Sequence, residues 1–221
     1  MNQRFVLYLL GWLLLLACAF LCIPLLASLV FAESLEPWVA AIALAGVVGG
    51  LLVLLYPPLN RNILPRDGFL IVSGAWIAVS LVGAVPYLVA GALGPVDALF
   101  ESVSGFTTTG STVIPDTTVI PRALLLWRAM SQWLGGMGII LFTIAILPLL
   151  GIGGMQLFKA EVPGPVADKV KPRLATAART LWRVYVGFSA AEWVARRLAG
   201  MSGCDALCHS FTTRATGGFS T

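Results

Sequence analysis

The sequence predicts an all-α integral membrane protein built from helix–pore-loop–helix repeats. Three observations carry that expectation. Of 221 residues, 58% are hydrophobic and 11% are charged, whereas about a quarter of the residues of a soluble domain carry charge. The apolar residues fall into runs that reach the roughly 20 residues a membrane span needs. A polar stretch from Asp97 to Thr112, DALFESVSGFTTTGST, returns without a gap as DALCHSFTTRATGGFS from Asp205 to Ser220, so that Asp97 matches Asp205, Thr108 matches Thr216 and Gly110 matches Gly218. Each copy is too polar to cross a bilayer, follows an apolar segment, opens like a short helix behind Pro95 or Gly203, and ends in Thr and Gly. Irregular backbone at membrane depth survives only where it is buried in protein or lines a water-filled path. The pattern therefore reads as a pore loop, present twice.

The first apolar segment, Phe5 to Phe31, contains Pro24, where it can bend. It is too long for a signal peptide, whose apolar core runs to about 7 to 15 residues, and is read as a true span. Glu33, Glu36 and Pro37 make a turn, and Trp38 to Tyr56 returns with aromatic residues near both ends as interface anchors. Pro57, Pro58, Asn60 and Pro65 stop that helix. Gly68 to Ala92 is a third span, with a kink expected at Pro86. Pro95 to Phe106 is the first pore helix, its proline suited to a first turn and Asp97 placed where a carboxylate favours the helix start. Arg122 to Phe158 is a long apolar helix, about 55 Å if straight, which exceeds the bilayer core, so it is expected either to begin above the membrane or to break near Pro148. Gly135, Gly136 and Gly138 along it bring a neighbouring backbone close.

KAEVPGPVADKVKPR reads as a polar cytoplasmic linker between two units. The expected organisation is a two-helix N-terminal membrane domain over 1–66, a first helix–pore-loop–helix unit over 67–160, a linker over 161–173, and a second, incomplete unit over 174–221. The span of the second unit carries Glu192, Arg196 and Arg197, and each charge at the centre of a span costs about 2.5 to 3.5 kcal/mol on insertion scales. Glu192 and Arg196, four apart, lie on one helical face and can pair, while Arg197, nearer the helix end, can snorkel.

Charge places the ends of these spans. Arg4, Arg61, Arg66 and the basic residues from Lys159 to Arg183 fall on one side if successive spans alternate, and Glu33, Glu36, Asp97, Glu101, Asp116 and Asp205 on the other. By the positive-inside rule the N-terminus is cytoplasmic and both pore loops open outward, with Arg122 and Arg128 as exceptions on the outer side. The net charge of +4 is thereby accounted for without a nucleic-acid partner. Cys18 and Cys22 read as packing residues within a span. Cys204, Cys208 and His209, with no second ligand pair nearby, do not make a transition-metal site. An enzyme is not expected, since neither HExxH, GxSxG nor a nucleotide-binding glycine loop occurs.

A dehydrated alkali cation needs several oxygens in place of its water shell, which filters supply as rings of backbone carbonyls. Turning those carbonyls inward calls for backbone angles that glycine adopts readily. That assigns Gly110, Gly217 and Gly218, with Thr108, Thr109 and Thr216 adding carbonyls and hydroxyls. The pore helix directs its negative end toward the ion path.

The motifs DALFESVSGFTTTGSTV, WRAMSQWLGGMGIILFTIAILPLLGIGGMQLFKAEVPGP and ATGGFST resemble the TrkH branch of the Trk/Ktr/HKT potassium transporter superfamily. The resemblance covers essentially the whole chain. It implies a pseudo-fourfold, potassium-channel-like arrangement of helix, pore loop and helix around a central filter, preceded by two extra helices. It also implies potassium uptake across a bacterial inner membrane with no cofactor, a homodimer, and a peripheral nucleotide-binding TrkA-type subunit on the cytoplasmic face. On that match the filter positions are Thr108, Thr109, Gly110, Thr216, Gly217 and Gly218. Two departures stand against the family pattern. The sequence stops at Thr221, directly after the second filter, as a truncated or partial copy would, and Arg214 at the end of the second pore helix is expected to repel an approaching cation. The alternative to a transporting subunit is thus a non-transporting membrane remnant or accessory subunit that associates with a complete transporter.

Overall fold

A computed structural model describes residues 2–58, 64–146 and 167–221. Among the described residues the chain forms seven α-helices: α1 (Gln3–Phe31), α2 (Glu36–Leu55), α3 (Pro65–Val89), α4 (Pro95–Phe106), α5 (Arg122–Ile146), α6 (Ala167–Leu198) and α7 (Gly203–Arg214). A single turn of 3-10 helix, Thr117–Val119, sits between α4 and α5. Helices α1, α2 and α3 are long and apolar enough to cross a membrane. The expected break near Pro148 and the glycines of LLGIGGM lie outside the described residues. Helix α6 begins at Ala167, inside the segment expected to be linker.

Helices α1 and α2 form an antiparallel hairpin whose crossing depends on two glycines. A Cβ on Gly11 would sit 2.8 Å from the Gly49 carbonyl oxygen, and one on Gly49 would sit 2.9 Å from that of Gly11. Small residues at such a crossing let the backbones approach closely, which is how apolar helices gain packing energy where lipid removes the hydrophobic drive between them. Higher in the hairpin, buried Trp38 donates its indole N–H to Ser28 Oγ at 2.6 Å and meets Trp127 of α5 edge to face. Pro24 lies inside α1, which runs unbroken past it.

The hairpin is joined to the rest of the chain at both ends. Asp67, at the start of α3, accepts from the backbone amides of Asn2 (3.0 Å) and Leu64 (3.1 Å). At the other end Glu33 accepts from the first two amides of α5, Arg122 N at 2.7 Å and Ala123 N at 3.0 Å. These are free donors of a helix start, where a carboxylate also meets the favourable end of the dipole. Replacing Glu33 by Ala is expected to destabilise the chain by about 1–2 kcal/mol, the range for losing a helix cap. Thermal melting in detergent measures it, and an unchanged midpoint would show that water replaces the cap at no cost.

The pore helix α4 is seated between α3 and α5. Its buried face holds Ala98, Glu101, Ser102, Gly105 and Phe106, the spacing of one side of a helix. Ser102 Oγ donates to the Ser80 carbonyl of α3 at 2.7 Å, and Trp127 of α5 donates to the Gly83 carbonyl at 3.0 Å. The glycines of WLGGMG act as their pattern suggests: a Cβ on Gly135 would collide with the Phe106 backbone, and one on Gly136 would press on Ala215 and the Tyr185 hydroxyl. Helix α5 thereby lies against the ends of both short helices, α4 and α7.

Candidate functional site

Both short helices end in the same way. After α4, Thr107 N bonds Val103 O (2.9 Å), Thr108 N bonds Gly105 O (3.0 Å) and Thr109 N bonds Ser104 O (3.0 Å). After α7 the matching residues repeat the pattern: Ala215 N to Phe211 O (3.1 Å), Thr216 N to Thr213 O (3.0 Å) and Gly217 N to Thr212 O (3.0 Å). This is a Schellman closure, which requires a left-handed residue just past the helix. Threonine fills that position in both copies, Thr108 at φ 57° and Thr216 at φ 54°. A β-branched residue there stores on the order of 1–3 kcal/mol of strain. Two residues on, Gly110 (φ 78°) and Gly218 (φ 80°) are left-handed again.

The sequence reading is therefore partly corrected. Glycine freedom is used at Gly110 and Gly218 as expected, but not at Gly217, which lacks a positive φ; the other left-handed residues are threonines. Gly217 is small for a different reason: a Cβ there would lie about 2.5 Å from the amide atoms of Gln132 on α5. The two turns meet across a gap that only glycine fits, since a Cβ on Gly110 would overlap the carbonyl oxygen of Gly217. Thr109, Thr216 and Gly218 are exposed, while Thr108 and Gly110 are half-buried. The six expected positions thus form two turns that meet where Gly110 approaches the Gly217 carbonyl.

Behind the turns is a buried polar network. Glu101 of α4 is fully buried and Arg128 of α5 is 2% exposed, and they pair through Arg128 Nε at 2.8 Å. The Glu101 carboxylate also accepts from Thr112 Oγ1 (2.9 Å) and Val113 N (3.1 Å), fastening the outgoing strand of the first turn. Arg128 reaches the second turn as well. Its Nη1 donates to Ser220 O at 3.1 Å, its Nη2 to Thr112 Oγ1 at 3.1 Å, and its guanidinium lies 4.1 Å from the centre of the Phe219 ring. One helix turn further along α5, Gln132 Oε1 accepts from Phe219 N at 3.2 Å. In the second copy His209 stands where Glu101 does in the first, with Nε2 3.3 Å from Thr221 Oγ1.

The sequence reading missed Arg128 and Gln132 as site residues, and placed Arg128 on the outer side as an exception to the charge rule. The available signal was Glu101, a carboxylate on the inward face of a pore helix that demanded a buried cation. Arg214 matches Phe106 in the repeat, and its guanidinium lies over the Phe188 ring of α6, 4.4 Å from the ring centre. Glu192 and Arg196 pair at 2.7 Å as their spacing suggested, and Arg196 further donates to Thr213 Oγ1 at 2.9 Å, tying α6 to α7. Arg197 turns to the helix end and donates to Met201 O at 2.9 Å.

The repeated turns on a shared supporting helix have a counterpart among known proteins. The TrkH family, described as a cation transport protein, matches residues 34–221. This chain belongs to the TrkH family. The chain is 44% identical over 227 residues to the Trk system potassium uptake protein TrkH of Halomonas elongata, covering 100% of this chain and 47% of that protein. To the TrkH of Escherichia coli K12 it is 41% identical over 225 residues, again 100% of this chain and 47% of the relative. The crystal structure of the potassium transporter TrkH from Vibrio parahaemolyticus superposes with a TM-score of 0.87 at 37% identity, over 100% of this chain and 44% of that one. The chain spans about half the length of the curated TrkH relatives it matches. It is an all-helical, multi-pass membrane protein of that family.

Proposed function

We propose that this chain is a pore-forming part of a Trk-type potassium uptake system. The carrying observation is the pair of filter turns with matching backbone, set side by side so that Gly110 faces the Gly217 carbonyl. Alternating left-handed and ordinary residues at Thr108 to Gly110, and again at Thr216 to Gly218, suits strands that turn successive carbonyls to one side, and rings of such carbonyls replace the hydration shell of potassium. Thr108, Thr109, Gly110, Thr216, Gly217 and Gly218 are the proposed ion-binding residues, with no cofactor. In this reading 1–66 is the added helix pair, 67–160 the first repeat unit, 161–173 the linker and 174–221 the start of the second. The membrane is the bacterial inner membrane, with the N-terminus cytoplasmic in accordance with its basic residues. The proposed assembly is a homodimer, regulated by a peripheral nucleotide-binding TrkA-type subunit. The role is transport rather than catalysis.

Two strands supply half of a fourfold ring, so a second copy of the chain or a longer transporter would provide the remainder. The test is growth of a potassium-uptake-deficient host expressing residues 1–221 at limiting potassium. Growth is the expected outcome if two copies complete a ring. No growth, with the chain present in the membrane fraction, overturns self-sufficient transport and favours the accessory-subunit reading, which expects co-purification with a full-length transporter.

A further inference from the structure

We propose that Gln132 is a positioning residue that sets ion discrimination at the filter, by fixing the second filter turn against the first. The inference rests on the filter reading above and deepens it. Gln132 is fully buried on α5, a helix of the first unit, yet its side chain touches the turn of the second. Its Oε1 accepts from Phe219 N, and its amide occupies the space that a Cβ on Gly217 would need. Its Nε2 lies 3.8 Å from where a Cβ on Gly110 would be. The amide therefore stands at the junction of both strands, and Gly217 and Gln132 are complementary in shape.

Packing alone does not account for a glutamine here. Its Nε2 is buried and has no hydrogen-bond partner among the described residues, an expense that Leu or Met of similar length would avoid. What the amide supplies and those residues cannot is the acceptor for Phe219 N. Arg128, one turn earlier on the same face, holds Ser220 O and stacks on Phe219, so α5 grips the second turn through two side chains. Discrimination between alkali cations depends on where the carbonyls are held, and functional groups must keep their place within about 0.5 Å.

The test uses the purified full chain in detergent, titrated with KCl or NaCl at constant ionic strength and followed by its melting temperature. The unaltered chain should be stabilised at lower potassium than sodium concentration. Gln132→Met keeps the volume and loses the acceptor; it should lower the potassium-to-sodium ratio about tenfold, on the order of one hydrogen bond, while Gln132→Glu, which keeps the acceptor, should retain more of it. Gly217→Ala should lose the ion response, and Gln132→Ala with Gly217→Ala should regain part of it, because the space is restored. A role in packing only would leave the Gln132→Met ratio unchanged, and that result, or simple additivity in the double variant, overturns the inference while leaving the filter reading in place. No potassium response in the unaltered chain overturns ion binding by the two turns of this chain, and the inference with it.

Discussion

Glu101→Ala is expected to destabilise the chain by about 3–5 kcal/mol, the range for removing one partner of a buried ion pair. The cost arises from what is left behind. Arg128 would remain at 2% exposure with its guanidinium lacking the carboxylate, and the Thr112 hydroxyl and Val113 amide would lose their acceptor. Because the pair is out of reach of solvent ions, the loss should change little between low and high salt. Replacing both residues by Met should cost less than the sum of the two single changes, since neither charge is then stranded. Thermal melting of the four proteins in detergent measures this coupling. Full additivity would mean that Glu101 and Arg128 act independently, and would remove the network as the tie between the two turns.

Gly110→Ser is expected to abolish potassium-dependent growth and the potassium response of the melting temperature. Two costs coincide at this residue. Its φ of 78° disfavours any side chain, and the new Cβ would overlap the Gly217 carbonyl oxygen, so the neighbouring turn must move. The controls separate the two. Gly218 (φ 80°) and Gly200 (φ 97°) share the left-handed backbone, and nothing lies within 4 Å of a Cβ at either. Ser at those positions should cost only the conformational penalty of about 1–2 kcal/mol, and at Gly200, away from both turns, it should leave potassium dependence intact. If Gly110→Ser and Gly200→Ser behave alike, strain alone explains the defect and the close approach of the strands has no functional weight.

Much of the local architecture was legible in the sequence. Pro95 and Gly203 marked the starts of α4 and α7 because each suits the entry to a helix, and the gapless repeat located both turns, whose matching positions close the two helices with the same hydrogen bonds although among them only Thr108 and Thr216 are the same residue type. The Glu192–Arg196 pair followed from helical spacing alone. Other features were not legible. Gly217 was assigned to backbone freedom when its neighbour Gln132 explains it, and Thr108 and Thr216 were not expected in the left-handed region, which β-branched residues rarely enter. The stacking of Arg214 on the Phe188 ring of α6 was likewise not legible, because it joins residues on different helices.

By itself the sequence determined the membrane class, the order of the helices and the duplication of a polar loop, because hydropathy, helical period and capping are properties of neighbouring residues. Only the tertiary structure decided that the two loops lie against each other, that Arg128 is buried with Glu101, and that Gln132 of α5 accepts from Phe219 N in the second turn. Those pairings join residues far apart in the chain. They depend on how closely α5 can approach α4 and α7, which is set by the glycines at 105, 135 and 136 and by the high cost of leaving a charge or a polar group without a partner away from water.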